Sequence, residues 1–189
     1  MSALLDTCSP ELDAPVSVVP YDHAWPARFE AESAMLTKVL APWLAGPIEH
    51  IGSTAVPLMP SKDIIDIMAP VHSLEAARGA IDAAVAAGYV HYPYKAEVMH
   101  WFCKPAPHFR THHLHLVPLD SWLWFERLCF RDALRRSGAL AAQYAELKLR
   151  LADQFQFDRE AYTDAKAPFV RAVLSASSGI RYFLDMQRG

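Results

Sequence analysis

Hydrophobic and polar positions follow two different periods along this chain. Short apolar or β-branched runs predict strands, and apolar residues spaced three or four apart predict amphipathic helices. The predicted strands are 16–20, 47–53 (ending in a turn), 63–71, 98–105 and 110–118. The predicted helices are 24–44, 73–88, 121–136, 138–155 and 159–185. The order of these elements predicts a mixed α/β fold followed by helices.

The organisation along the chain is typical of one domain. Its 189 residues can bury a sizeable core without disulfides or metal staples. We divide the domain into a lead-in at 1–15, a mixed α/β core at 16–118 and a helical part at 119–189. The sequence contains no internal repeat or low-complexity tract that would indicate a second unit.

Two aspartates interrupt the apolar run "DIIDIMAPV". Asp63 lies at the entrance of the predicted strand, where solvent or an ion pair would satisfy its charge. Asp66 is surrounded by isoleucine and methionine, and a buried carboxylate is costly unless it is paired, hydrogen-bonded or bound to a metal. Side chains three apart on a strand face opposite ways, so Asp63 and Asp66 are not expected to share a ligand. Asp66 is either a ligand or catalytic residue, or an acceptor for backbone amides.

The segment "RTHHLHLVP" carries the second candidate group. Strand alternation puts His113 and His115 on one face, and Leu114 and Leu116 on the apolar face. Two parallel imidazoles at this spacing can bind one divalent ion or hold one phosphate. With Asp66 they would form a set of two histidines and one carboxylate, and we expect the three side chains to converge.

The turn "IGSTAVP" follows the second predicted strand. The chain has neither the glycine-rich loop of P-loop proteins nor that of dinucleotide-binding proteins. Gly52 would still let backbone amides approach an anion, and Ser53 would add a hydroxyl donor. The alternative is a plain turn that ends a strand.

Charge and composition restrict the partners. Lysine and arginine number 18 against 21 acidic residues, so no basic excess is available to hold a long nucleic acid, whereas a small anionic ligand remains compatible. The three cysteines form no closely spaced pair, the N-terminus lacks the pattern of a signal peptide, and no apolar run has the length of a membrane span. We therefore expect a cytoplasmic protein that does not enter a membrane.

Six blocks of the sequence, taken together, resemble GrpB-like proteins from about Val18 to about Val173. The blocks are "IEHIGSTAVP", "SKDIIDI", "HHLHLVP", "FRDALR", "YAELKLRLA" and "DREAYTDAKAPFV". That family is similar to the nucleotidyltransferase superfamily, which implies a short mixed sheet with flanking helices. The resemblance also implies that Gly52 and Ser53 hold nucleotide phosphates, and that Asp66 is the first metal-binding acid.

The chain departs from the superfamily pattern at several positions. Met68 stands where the second acid is expected, and a later strand offers His113 and His115 in place of an acid. Leu58 also stands where many relatives have glycine. One aspartate with neutral imidazoles makes a softer site than paired carboxylates, and suits Mn, Fe, Ni or Zn better than a pair of Mg ions.

The helical part and the turn supply further candidates for a phosphate site. Lys62 and Lys148 would neutralise phosphate charge, while Lys166 lies four residues after Tyr162 within a block of the resemblance. Thr54 completes the Gly-Ser turn. For single lysines on helices the alternative is a solvated surface position.

Arg131 and Arg135, four apart on one helix face, would either clamp phosphate or form surface ion pairs.

These features leave two classes of function open. The first is a nucleotidyl- or phosphoryl-transfer enzyme, or a metal-dependent phosphate-ester hydrolase, with Asp66 as its catalytic residue and a divalent metal (Mg, Mn or Zn) held by Asp66, His113 and His115. The second is a non-catalytic nucleotide-binding module that kept the fold and lost the acids. In both, the expected ligand is a nucleotide or another phosphate-containing small molecule. The sequence leaves the oligomeric state open.

Overall fold

The computed structural model of the chain describes residues 14–176. The strands are β1 (Glu49–Ile51), β2 (Ile65–Val71), β3 (Val90–Tyr92), β4 (His100–Pro105) and β5 (Arg110–Pro118). The helices are α1 (Trp25–Val39), α2 (Arg78–Ala86), α3 (Trp122–Arg136), α4 (Gly138–Gln154), α5 (Arg159–Asp164) and α6 (Ala167–Ala176). A short 3₁₀ turn, Ser53–Ala55, connects β1 to the segment before β2.

The five strands form one mixed sheet in the order β1-β2-β5-β4-β3. The central strands β2 and β5 run parallel, and the remaining neighbours are antiparallel. In the parallel pair Asp66 lies beside His113, and Met68 lies beside His115. The mixed sheet with flanking helices is the α/β fold that the sequence predicts.

Each face of the sheet is covered by a different set of elements. On one face Ile65, Ile67, Leu114 and Leu116 pack with residues of α1 and α2 in an apolar core. On the other face, which carries Asp66, a smaller cluster joins the sheet to Trp124 of α3. Strand β2 is therefore buried on both sides, as its nearly continuous apolar sequence predicts.

Several element bounds differ from the sequence-based predictions in the first half of the chain. The segment 16–20 forms no strand and contributes only an isolated bridge between Val19 and Ser61. Helix α2 begins at Arg78. The side chain of Ser73 instead accepts a hydrogen bond from the amide of Ala76, which caps a turn ahead of the helix. Strand β3 was not predicted, because its three residues are too few to show a period.

The helix predicted for 159–185 is interrupted within the described residues. Helix α5 ends at Asp164 and α6 begins at Ala167, with Lys166 between them. Pro168 explains the break, because proline has no N–H to donate and is tolerated only in the first turn of a helix. Residues 177–185 of that prediction lie outside the described part of the chain. None of the described helices is long and apolar enough to cross a membrane.

Candidate functional site

Asp66, His113 and His115 converge on one face of the sheet. The parallel register sets Asp66 next to His113, and His115 follows two residues later on the same face. Asp66 Oδ1 lies 2.8 Å from His113 Nδ1 and 3.8 Å from His115 Nε2. One ligand atom from each residue can be chosen so that all three lie within 4.8 Å of one another, a spacing that a metal ion can bridge.

The protonation states of the three residues favour an electron-rich site. Burial acts to raise the pKa of Asp66, but the hydrogen bonds from His113 and His115 outweigh it and hold that pKa well below its usual range. Burial lowers the pKa of both histidines, although Asp66 opposes the shift. Near neutral pH the site therefore combines one carboxylate with two neutral imidazoles. That combination is a common ligand set for transition metals.

Both imidazoles keep a ring nitrogen without a hydrogen-bond partner. With Asp66 ionised, His113 Nδ1 is the donor to Oδ1, which leaves a lone pair on His113 Nε2. His115 Nδ1 contacts Met99 Sδ at 3.4 Å, and its Nε2 points toward the carboxylate. Both Nε2 atoms are buried and unpartnered in the described structure. Buried polar atoms are normally satisfied, so these two nitrogens are candidate ligand atoms for a metal ion.

The turn before β2 is shaped around Asp66. Gly52 has φ 71°, a left-handed conformation that favours glycine, and a Cβ added there would lie 2.3 Å from Asp66 Oδ2. Only glycine permits this close approach of backbone and carboxylate. The glycine of the predicted Gly-Ser turn therefore has a steric reason to be there.

Thr54 is used inside the fold rather than at the ligand face. Its hydroxyl donates to the carbonyl of Ile64 at 3.2 Å and lies 3.1 Å from His50 Nε2. The residue is 1% exposed, so its side chain is not placed to contact a ligand. The sequence-based prediction for Thr54 is corrected here, because its hydroxyl ties the 3₁₀ turn to the start of β2.

Ser53 lies where the turn meets helix α4. Burial raises the pKa of Tyr144, from α4, to about 12, while Arg127 and the side chain of Ser53 act to lower it. Tyr144 also responds to the charge of Asp66. These interactions place Ser53 and Tyr144 beside the Asp66 site, and α4 therefore forms part of its wall.

Three lysines approach the same space from different elements. Lys148 is 2% exposed, donates to the carbonyl of Pro60, and has its Nζ 5.2 Å from the ring centroid of Tyr144. Lys62 and Lys166 both approach the ring of Tyr162, with their Nζ atoms 5.3 Å and 4.1 Å from its centroid. All three positions were predicted from sequence. Lys148 is buried, however, and is not the solvated helix position that the alternative described.

The lysines perturb one another. Burial and the charge of Lys62 lower the pKa values of Lys148 and Lys166 to about 7. Asp66 acts on Lys166 in the opposite direction, which shows that this cation and the carboxylate share one electrostatic environment. A bound anion stabilises the protonated forms of such lysines, because its negative charge offsets both their mutual repulsion and the cost of burying their charges.

Arg127 of α3 is a member of this environment that sequence reasoning missed. Its charge lowers the pKa values of His115, Tyr144 and Lys166. The signal was available in the sequence, since Arg127 extends the four-residue spacing of Arg131 and Arg135 by one turn.

Arg131 and Arg135 fix β1 and the turn to α3. Arg131 NH1 donates to Glu49 Oε2 at 2.6 Å and to the carbonyl of His50 at 3.0 Å. Arg135 Nε donates to the carbonyl of Ala55 at 2.9 Å. Both arginines also line a separate cavity of about 320 Å³ near α1, in which these polar groups already bond to one another. Arg131 is therefore engaged in ion pairing within the fold and is not arranged as a phosphate clamp.

Asp63 is satisfied away from the site, as its position predicts. Its Oδ1 accepts a hydrogen bond from Trp25 Nε1 at 2.8 Å and forms an ion pair with Arg28. Burial acts to raise its pKa, but these two partners lower it overall. Asp63 therefore ties the segment before β2 to α1.

Comparison with known proteins identifies the family. The sequence profile described as GrpB protein matches residues 15–176. The chain belongs to the GrpB family. It is 38% identical over 170 residues to a UPF0157 protein of Pseudomonas aeruginosa, covering 86% of this chain and 67% of that protein. The resemblance inferred from the six sequence blocks is thereby confirmed.

Two further proteins are similar to this chain in structure or in sequence. The crystal structure of the conserved protein GrpB from Enterococcus faecalis superposes with a TM-score of 0.78 at 28% identity, covering 89% of this chain and 99% of that one. A dephospho-CoA kinase of Mycolicibacterium paratuberculosis is 29% identical over 184 residues, which cover 84% of this chain and 45% of the kinase. The GrpB fold is thus shared over nearly the whole described chain.

Met68, at the position expected for a second acid, is part of the core. It is 0% exposed and packs in the cluster that contains Ile51, Trp101 and Val117.

We expect Met68→Asp to lower the free energy of unfolding by about 3 kcal/mol or more, because it buries an unpaired charge. Chemical denaturation measures the change. Met68→Leu, the matched control, should cost less than about 1.5 kcal/mol. A stable Met68→Asp protein with increased metal affinity would instead show a vacant ligand position.

Proposed function

We propose that this GrpB protein binds a nucleotide or another phosphate-containing small molecule together with one divalent metal ion. The observation that carries the proposal is the pair of buried, unpartnered Nε2 atoms of His113 and His115 beside the Asp66 carboxylate. A cation held between the carboxylate and these ring nitrogens would be stabilised by the negative charge of Asp66, whose Oδ1 lies 3.8 Å from His115 Nε2.

Asp66, His113 and His115 would hold the metal. Two neutral imidazoles and one carboxylate suit Mn²⁺, Zn²⁺ or Fe²⁺, whereas Mg²⁺ prefers an octahedron of oxygens. When bound, such an ion acts as a Lewis acid on a phosphoryl oxygen. Asp66 also keeps 28% of its side chain exposed, so a ligand can reach the carboxylate.

Lys62, Lys148 and Lys166 would hold the phosphate. They come from the segment before β2, from α4 and from the α5–α6 junction, and the charge of Lys62 acts on both of the other lysines. Ser53 and the backbone around Gly52 would add donors from the turn after β1. An anion between them would relieve the repulsion that lowers the pKa values of Lys148 and Lys166.

Nucleotidyl or phosphoryl transfer, or hydrolysis of a phosphate ester, is the chemistry that this arrangement would serve. Asp66 would be its catalytic carboxylate, by orienting the phosphate through the shared ion. The dephospho-CoA kinase relative supports a nucleotide-like ligand, because a region similar to this chain occurs within a protein named for such a substrate.

A non-catalytic binding module is the second candidate, and the burial of Met68 favours it. Two-metal transfer uses several carboxylates to position both ions. With Met68 in the core, the Asp66 face of β2 offers one acid. Formation of a nucleoside diphosphate, by phosphoryl transfer or hydrolysis, or of pyrophosphate, by nucleotidyl transfer, from a nucleoside triphosphate in the presence of Mn²⁺ distinguishes the two candidates, because a binding module forms neither.

Asp66 of β2 and Asp63, which lies before β2, should respond differently to the loss of their charge. Asp66→Asn should lower Mn²⁺ or Zn²⁺ affinity at least about tenfold, because it removes the only charged ligand of the set. Asp63→Asn, the matched control, should change affinity less than about twofold, since Asp63 bonds to Trp25 and Arg28 instead. Isothermal titration calorimetry with each metal measures both. Equal losses in the two variants would contradict the assignment of Asp66.

The lysine proposal predicts a pH dependence. Lys148 and Lys166 have pKa values lowered to about 7, and an anion binds their protonated forms. Binding therefore takes up protons, and affinity should be highest below pH 7 and fall about tenfold or more by pH 9. Sulfate is a suitable probe, because its own charge is constant over this range. Its effect on the melting temperature at each pH reports the affinity.

A pair of lysine variants tests the cause of this pH dependence. Lys166→Met should weaken sulfate binding and flatten the profile. Lys38→Met, which alters an exposed lysine at the end of α1, should leave both unchanged. A profile that is flat in the wild-type protein would rule out anion binding by lysines with lowered pKa values.

A further inference from the structure

Three aromatic rings form a cluster at the β3 edge of the sheet. Tyr92 ends β3, Tyr94 follows it, and Trp101 belongs to β4. Both tyrosine rings lie 6.1 Å from the Trp101 ring between centroids, at interplanar angles of 83° and 70°. Tyr92 and Tyr94 are 52% and 41% exposed, whereas Trp101 is 7% exposed. The buried tryptophan therefore holds two tyrosines at the surface.

This aromatic cluster continues directly into the Asp66 site. Trp101 is the register partner of His115, so both side chains lie on the same face of the sheet. Its ring centroid is 5.0 Å from that of His113. Trp101 therefore contacts both an exposed tyrosine and a histidine of the candidate metal site. The distance from that tyrosine to that histidine is comparable to the distance from the base to the phosphates of a nucleotide.

Positive charge accompanies the rings. The guanidinium of Arg110 lies 5.3 Å from the Trp101 ring centroid, and Lys95 Nζ lies 5.4 Å from that of Tyr94. A planar ligand with negative charge complements such a surface better than an aliphatic or a cationic one. A single exposed aromatic residue is ordinary on a protein surface. Two exposed tyrosines that both pack on a buried tryptophan, which itself contacts His113, are a less common arrangement.

We propose that Tyr92 and Tyr94 form the base-stacking surface for a nucleoside polyphosphate whose phosphates are held between the lysines and the metal ion proposed at Asp66, His113 and His115. This inference rests on the proposed function and names its substrate class. Stacking uses the π face that every base has, so the surface selects nucleotides over simple phosphates with little discrimination among bases.

The test compares two probes in the presence of Mn²⁺: a non-hydrolysable analogue of adenosine triphosphate and inorganic pyrophosphate. In the wild-type protein the nucleotide should bind more tightly than pyrophosphate, because only the nucleotide has a base. The double variant Tyr92→Ala/Tyr94→Ala should lose about tenfold in nucleotide affinity, within the range measured for loss of base–aromatic stacking. Its pyrophosphate affinity should stay within about twofold. Calorimetric titration gives all four affinities.

Matched variants separate stacking from other effects. Tyr92→Phe/Tyr94→Phe keeps both rings and should retain nucleotide affinity. Phe157→Ala removes an aromatic side chain that is 81% exposed in the segment between α4 and α5, and should change neither affinity. If the double alanine variant does not fold, the single variant Tyr94→Ala, outside the strands, gives the same comparison with a smaller loss.

The outcomes distinguish this inference from the proposed function. Equal binding of nucleotide and pyrophosphate to the wild-type protein overturns the stacking surface and leaves the phosphate site in place. Absence of binding by either probe overturns both. Retained nucleotide affinity in Tyr92→Ala/Tyr94→Ala overturns the stacking surface, and a smaller apparent mass of this variant in size-exclusion chromatography would assign the tyrosines to a contact between copies of the chain.

Discussion

The negative charge of Asp66 within a strand buried on both faces is the constraint on which the site depends. Each neighbour of this carboxylate adjusts to it: Gly52 leaves room for Oδ2, His113 donates to Oδ1, and His115 approaches at 3.8 Å. The lysines beyond them bring positive charge into the same environment. An aspartate kept ionised at such a position costs folding free energy, and that cost is intelligible where the charge binds a ligand.

The sequence was sufficient to predict the faces of the strands but not the contacts between elements. A period of two separates Asp66 from Asp63, and places His113 with His115, without knowledge of the fold. Which strand lies beside β2, and in which register, is a tertiary property that the structure supplies. Tyr144 was missed because it reaches the site only through the packing of α4, whereas the four-residue spacing of Arg127 from Arg131 could have marked Arg127.

Lys148 and Thr54 illustrate the limit of reasoning from residue type. A lysine on a helix is usually solvated, and yet Lys148 is 2% exposed with its Nζ bonded to the carbonyl of Pro60. A threonine next to a Gly-Ser turn looks available to a phosphate, but the hydroxyl of Thr54 bonds to Ile64 within the fold. In both cases the partner is a backbone carbonyl that no sequence pattern marks. Met68 is the third case, because its burial turns an apparent vacancy into a core contact.

Crystallography with anomalous scattering tests directly whether Asp66, His113 and His115 bind a metal ion. Crystals grown with Zn²⁺ and a non-hydrolysable nucleotide, measured on both sides of the zinc absorption edge, locate the ion independently of any assumed ligand. We expect one anomalous peak at about 2.0–2.2 Å from Asp66 and from a ring nitrogen of both His113 and His115, with phosphate density near the lysines. An ion bound elsewhere, or phosphates bound without an ion between these three side chains, would contradict it.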